Sequence, residues 1–441
     1  MDTFVYKDHK KLRCGYTTGT CAALAAQGAV RFLLTGSWKE TEEIMTPKGI
    51  PVCVSLEEKT SGDSWAECAV RKDAGDDYDV TNGILVYARA EFVKDKNFYE
   101  KVQMSHLESS GFGAAGEKPG LSPENQKQQK KANAAHQKEA LPESLVRIDG
   151  GIGIGRITKS GLDQPVGAAA INSVPRKMIR DAVYELLEEA GELRLVSITI
   201  SVPAGVEAAK KTFNPVLGIE GGISVLGTSG IVEPMSEEAL VETIRTHLNV
   251  LKAEGRKWVI AVPGNMGAGF LERYLVEHGK FCTDAHQGSN AADTDAAVEA
   301  EQMAYGELST GTEPSLLEGF MNSLVTMSNF VGKTIDLAAE LGFSGILIAG
   351  HMGKLVKIGN GIMNTHSREA DGRMDTMLSC ALSAGTEDLE LLRKIQRSNT
   401  TDEAMDHLKQ AGIIEDTINV FLKRADWHLT HRSRDEVRTG M

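Results

Sequence analysis

Residues 346–373 read ILIAGHMGKLVKIGNGIMNTHSREADGR. The apolar run 346–349 stops at Gly350. From there to Arg373 come two histidines (His351, His366), two lysines (Lys354, Lys357), two arginines (Arg368, Arg373) and five glycines. A buried strand that empties into a glycine-rich, basic loop is how open α/β sheets present a ligand site. The cations point to a ligand rich in carboxylate or phosphate oxygens.

Working outward, the same alternation extends on both sides. Residues 236–255, SEEALVETIRTHLNVLKAEG, predict a helix capped by Ser236 and ended by Gly255. Residues 258–262 read as a strand, GNMG at 264–267 as a turn, 268–277 as a helix and 281–283 as a second strand. Residues 323–341 read as mainly helix, 345–349 as a strand, and the stretch from about 372 as helical. Strand–helix alternation implies parallel pairing with crossover helices. The expectation for 236–441 is therefore an α/β, Rossmann-like, three-layer domain with a polar insertion at 285–315.

Residues 1–235 have a different grain and predict an α+β domain. A helix is expected over 17–35, capped by Thr17, Thr18 or Thr20. Short strands are expected at 43–45, 51–56, 66–71 and 84–90. Residues 104–143 are rich in Gln, Lys, Glu, Gly, Ser and Ala and read as a mobile insertion. A helix over 174–190 stops at Gly191, and a strand over 196–202 comes next.

The chain has 441 residues, 41% of them hydrophobic and 25% charged, the profile of a globular protein with room for two domains. A net charge of −13 speaks against a general nucleic-acid or anionic-membrane binder. No run approaches the roughly 18 apolar residues of a membrane span, and the first residues lack a signal-peptide core. A cytoplasmic protein is expected, with its oligomeric state open. The cysteines (Cys14, Cys21, Cys53, Cys68, Cys282, Cys380) form no CxxC pair and read as scattered reduced thiols. HExxH, GxSxG and P-loop motifs are absent from the sequence, which disfavours a zinc hydrolase or an ATPase of the P-loop type.

Several further segments compete for function. CGYTTGTCAALAA offers a helix start that could hold an anion, although an ordinary capped helix explains it better. Asp73, Asp76, Asp77 and Asp79 crowd one loop without the ligand order of a calcium loop. An acidic turn, or an ion pair with Lys72, is the simpler account. Gly150, Gly151, Gly153 and Gly155, and the run GIEGGISVLGTSG at 218–230, suit either a backbone moulded round a ligand or close main-chain packing. GNMG opening a helix is a nucleotide-type arrangement, and Asp284, placed after the expected second strand, could accept ribose hydroxyls. His351 reads equally as a general base, a metal ligand or a structural histidine, and so does His366.

The strings LRCGYTTGTCAA, RKDAGDDYDVT, VGAAAINSVPRKMI, KKTFNPVLGIEGGISVLGTSGIVEPMS, SNFVGKTIDLAAELGF and GHMGKLVKIGNGIMNTHSREADGR succeed one another along most of the chain. Together they resemble the cobalt-precorrin-5B C(1)-methyltransferases, the CbiD family. Two departures stand out: Ala168-Ala169 where the family has Glu-Pro, and Tyr78 where it has proline. The resemblance implies that S-adenosylmethionine donates a methyl group to C1 of a cobalt-containing, ring-contracted tetrapyrrole, giving cobalt-precorrin-6A in anaerobic cobalamin biosynthesis. Cobalt would arrive within the substrate, so no protein metal site is implied. On that footing the methyl donor is expected at Gly264, Asn265, Met266, Gly267, Asp284 and Gly350. The tetrapyrrole is expected between the domains, met by Lys354, Lys357, His366, Arg368, Arg176 and Lys210, with His351 the first candidate for proton transfer. The competing readings are a tetrapyrrole carrier without catalysis and an enzyme acting on phosphorylated or nucleotide substrates.

Overall fold

The computed structural model describes residues 3–7, 9–93, 145–278 and 322–441. The expected insertions at 104–143 and 285–315, the expected strand at 281–283, Asp284 and Cys282 lie outside them. The chain divides into two compact units, Met1–Ser236 and Glu237–Met441.

The first unit is built on a five-stranded sheet: β1 (Glu57–Ser61), β2 (Trp65–Arg71), β3 (Leu85–Phe92), β4 (Val146–Gly150) and β5 (Val196–Ser201), in spatial order β1-β2-β3-β5-β4. Only the β4–β5 pair is parallel. Helices α1 (Thr18–Thr35) and α2 (Ser173–Ala190) pack on each other, and α1 also lies against β2 and β3. Alternation puts Ala66, Cys68, Val70, Val86, Ala88 and Ala90 on the buried face. These are small, and so are the buried Ala22, Ala23, Ala25, Ala26 and Ala29 of α1 opposite them. Small residues on both sides let helix and sheet approach closely. A Cβ on Gly28 would lie 2.4 Å from Leu56 Cδ1 and 3.2 Å from Cys68 Sγ. Both helices begin and end where expected to within a residue or two, with Thr17 accepting from Thr20 N and Gly36 and Gly191 left-handed at the C-caps.

The second unit holds a four-stranded, all-parallel sheet. Its strands are β6 (Trp258–Val262), β7 (Leu324–Thr326), β8 (Gly345–Ile348) and β9 (Arg438–Gly440), in order β7-β6-β8-β9. The helices are α3 (Glu237–Ala253), α4 (Asn265–His278), α5 (Val331–Glu340), α6 (Arg373–Ser383), α7 (Leu389–Arg397), α8 (Thr401–Gln410) and α9 (Ile414–Ser433). Along β6, Val259 and Ala261 enter a large core shared with α3, α5 and the later helices. Ile260 and Val262 enter a small one with Leu271 of α4.

Three expectations change here. Residues 323–341 are a strand and then a shorter helix, because Val325 is needed in the large core and the Ser328 turn breaks the run. GNMG is not a free turn, since α4 starts at Asn265. The basic loop after β8 is partly helical, with a one-turn helix at Met352–Leu355 and a 3-10 turn at Val356–Asn360.

Candidate functional site at the carboxyl edge of the parallel sheet

In a parallel sheet all strands deliver their carboxyl ends to one edge, so the loops that leave them share that edge. Three such loops meet in the second unit. After β6, Gly264 turns at φ +78°, with nothing within 4 Å of the place a Cβ would take. Gly267, in the first turn of α4, packs with its missing Cβ 3.0 Å from Pro263 Cδ. After β8, a Cβ on Gly350 would lie 2.7 Å from Pro263 Cδ. Only glycine at 350 lets this loop settle on the Pro263–Gly264 turn. The structure thus brings Gly264, Gly267 and Gly350 together, and Asn265 and Met266 open α4 beside them.

The third loop leaves β7 and contains residues that sequence reasoning passed over. Ser328 is left-handed at φ +53°, uncommon for a residue with a Cβ. Asn329 next to it accepts Lys354 Nζ at 3.0 Å through Oδ1, and its carbonyl accepts Thr365 N at 2.9 Å. Asn329 therefore ties the β7 loop to both ends of the basic loop. Reading 323–341 as mainly helix conceals it; the signal in the sequence is an Asn just after a short β-type run.

His351 is the N-cap of the one-turn helix: its Nδ1 accepts Gly353 N at 3.1 Å. His366 repeats the arrangement, with Nδ1 accepting Arg368 N at 3.2 Å. A histidine whose Nδ1 is an acceptor carries its neutral-state proton on Nε2. His351 Nε2 faces Asp402 Oδ1 at 3.6 Å. To take up another proton, His351 would have to do so at Nδ1 and give up its cap. In this geometry Nδ1 serves as the helix cap and Nε2 is the nitrogen turned to Asp402.

The expected cations divide into two groups. Lys354 is exposed, and its only bonding partner among the described residues is the neutral Asn329. Arg368 is exposed and His366 half-buried. Lys357, by contrast, is 3% exposed and donates to the carbonyls of Thr365 and Ala370 at 3.2 and 2.7 Å. Burial lowers its pKa, and its ammonium serves to fold the loop. In the first unit Arg176 donates to the carbonyls of Ile171, Ile148 and Ala169, and burial lowers its pKa too. Lys210 pairs with Glu207 at 2.7 Å on the surface.

The other segments of the first unit are filled by their own chain. The start of α1 is covered by the 226–230 loop: Gly19 N donates to Leu226 O at 3.2 Å and Thr20 Oγ1 to Gly230 O at 2.6 Å. Burial pushes the Cys21 and Cys68 thiols up to about 12, which keeps them protonated and inert at neutral pH. In the acidic loop Asp79 pairs with the buried Lys72 at 2.9 Å, and Asp73 with Arg13. Gly153 sits so close to Val202 O that its glycine run moulds the protein's own backbone. Among the described residues, no cluster of histidine, cysteine and carboxylate groups could hold a metal, and no helix is long and apolar enough to cross a membrane.

The CbiD family model matches residues 5–129 and 126–234, and the model described as CbiD, C-terminal domain, matches 364–441. A protein of Ruminiclostridium cellulolyticum named cobalt-precorrin-5B C(1)-methyltransferase is 36% identical over 439 residues, covering 99% of this chain and 90% of its own length. One of the same name from Methanocaldococcus jannaschii is 33% identical, covering 97% of this chain and 92% of its own. A crystal structure of cobalamin biosynthesis protein (cbiD) from Archaeoglobus fulgidus aligns over 84% of this chain and 87% of its own, at 21% identity and a TM-score of 0.35, too low to transfer geometry. The family models account for well over half of the sequence, and both relatives match it nearly end to end: this chain belongs to the CbiD family.

Proposed function

We propose that this protein transfers a methyl group from S-adenosylmethionine to C1 of cobalt-precorrin-5B. The observation that carries the reading is its 36% identity, over 99% of the chain, to a protein of that name. In this reaction the methyl–sulfur bond breaks with its electron pair left on sulfur, and a carbon–carbon bond forms with electrons from the macrocycle. The leaving group is a neutral thioether, so the protein need supply no covalent help. Its contribution is alignment of the two reactants and exclusion of water.

The carboxyl edge of the parallel sheet suits the methyl donor. Gly264 leaves open space beside the start of α4, and Gly350 lets the β8 loop close on Pro263. The first N–H groups of α4, at 265 and 266, favour an anionic group there. For the tetrapyrrole, whose rim carries acetates and propionates, we assign Lys354, His366 through Nε2–H, and Arg368. Lys357 and Arg176 drop out of the binding set because main-chain carbonyls already occupy them. His351 enters as the cap that shapes the loop.

The test is incubation of the purified protein with cobalt-precorrin-5B and methyl-labelled S-adenosylmethionine. Label at C1 of the macrocycle is the expected result. Tight binding of the macrocycle, with no transfer and no binding of S-adenosylhomocysteine, would make the protein a carrier instead.

A further inference from the structure

We propose that Asn329 and Lys354 form a paired donor site for a ligand carboxylate, with Asn329 also setting the direction of the Lys354 ammonium. The proposal rests on the reading of the sheet edge as the ligand-binding edge. Three observations lead to it. First, Lys354 is held by a neutral acceptor, Asn329 Oδ1 at 3.0 Å, and has no carboxylate partner among the described residues. Its charge is oriented but not neutralised, the state in which a lysine best serves an incoming anion. Second, Asn329 Oδ1 is committed to Lys354, with Thr365 Oγ1 a weak additional donor at 3.5 Å. That fixes the amide's orientation and leaves both Nδ2 protons without a partner among the described residues. Asn329 and Lys354 then offer N–H groups from adjacent heads, as a carboxylate requires. Third, the pair is locked from both sides. Thr365 N bonds the Asn329 carbonyl at 2.9 Å, and Ser328 stands in the left-handed region at φ +53°. A strained, well-bonded turn at a strand's carboxyl end is where functional geometry is commonly stored.

The carboxylate can belong to the methionine part of the methyl donor or to a side chain of the macrocycle. One substitution separates a ligand site from a structural brace. Asn329→Asp keeps Oδ1 for Lys354 and strengthens that bond, so a brace would be preserved or improved. For a carboxylate site the same change neutralises Lys354 and repels the ligand. The proteins to compare are wild type, N329A, N329D and K354M. The probes are S-adenosylhomocysteine and a porphyrin bearing acetate and propionate groups, each titrated by calorimetry, with KM and kcat measured for both substrates.

The expected result is that N329D weakens one probe by about ten- to a hundredfold, more than N329A does, and that K354M weakens the same probe. The KM for the matching substrate should rise with little change in kcat. Loss of S-adenosylhomocysteine affinity assigns the site to the methyl donor, and loss of porphyrin affinity assigns it to the macrocycle. N329D binding both probes as well as wild type, or better than N329A, overturns the proposal, as does wild type binding neither. K354M changes an exposed side chain and keeps the test open if the Asn329 variants do not fold. A protein that binds a probe through this pair yet transfers no methyl group would retain the pair and lose the methyltransferase reading.

Discussion

At His351 the chemistry is decided by which ring nitrogen is already in use. Nδ1 caps the one-turn helix, so asparagine, which also caps well, should replace it. H351N is expected to keep kcat within about threefold of wild type, a change of less than about 0.7 kcal/mol in the barrier. H351A should lose about 1 kcal/mol of local stability with the cap. Equal inactivation of both variants, each still folded, would restore His351 as a proton carrier. Lys72 and Asp79 pose a different residue-scale problem. Lys72 is 2% exposed, so removing its partner strands a buried ammonium. D79A should cost about 3–5 kcal/mol in urea unfolding. Burial alone would raise the Asp79 carboxyl; Lys72 and the Thr81 donors outweigh it and hold the pKa below its ordinary 3.8. A depressed carboxylate contributes its stability in full above the unfolded value and loses it as pH falls through the folded one. The urea midpoints of wild type and D79N should therefore differ by a constant amount down to about pH 4 and converge below it. A difference that grows on acidification would contradict the pairing.

Elements are legible where one local rule governs them. Helix α1 can be read because a threonine cap, an alanine-rich face and a glycine stop agree, and α2 because Gly191 ends it. Strand β8 stands out because an apolar run meets Gly350. Strands β7 and β9 escape a reading of the sequence because three residues each show too little periodicity; both exist because β6 and β8 have edges to pair. The candidate site is legible in its glycines and not in its bonds. Nothing in the spacing shows that Lys357 points inward to carbonyls while Lys354, three residues earlier, reaches Asn329. The glycine-rich stretches of the first unit can be read two ways, and at Gly153 and Gly222 the geometry is that of main-chain packing. At Gly153, φ is +75° and a Cβ would stand 1.7 Å from Val202 O. At Gly83, φ is +80° but nothing lies within 4 Å. G83A should therefore cost only the left-handed penalty, about 1–2 kcal/mol. G153A, which adds a collision with fixed backbone, should abolish folding of the unit, as judged by soluble yield and circular dichroism. Similar losses in the two variants would show that the Gly153 turn can shift.

On the scale of the molecule, each unit closes its own sheet with its own helices, and the second does so with the last residues of the sequence. Helix α9 ends at Ser433, and Arg434 and Asp435 turn the chain back at φ +51° and +60°. Val437 then drops into the core at 1% exposure, and Arg438–Gly440 adds a parallel strand beside β8. Two successive left-handed residues with side chains cost about 1 kcal/mol each. Burial of Val437 returns about 1.5–3 kcal/mol, and the ladder bonds add to it. The turn is thus a local strain held in place by Val437 and β9, and two predictions of opposite sign result. R434G relieves the first left-handed position and should raise stability by about 1 kcal/mol. Truncation after Ser433 removes Val437 and uncovers the edge of β8, whose other end carries Gly350 and the basic loop. It should lower the stability of the 237–441 unit by about 2–4 kcal/mol. It should also weaken ligand binding at the sheet edge, although no deleted residue belongs to that site. Thermal unfolding measured alongside probe affinity separates the two effects. Truncation that leaves both unchanged would mean that β9 only decorates the sheet, and that α6 to α9 hold β8 in place without it.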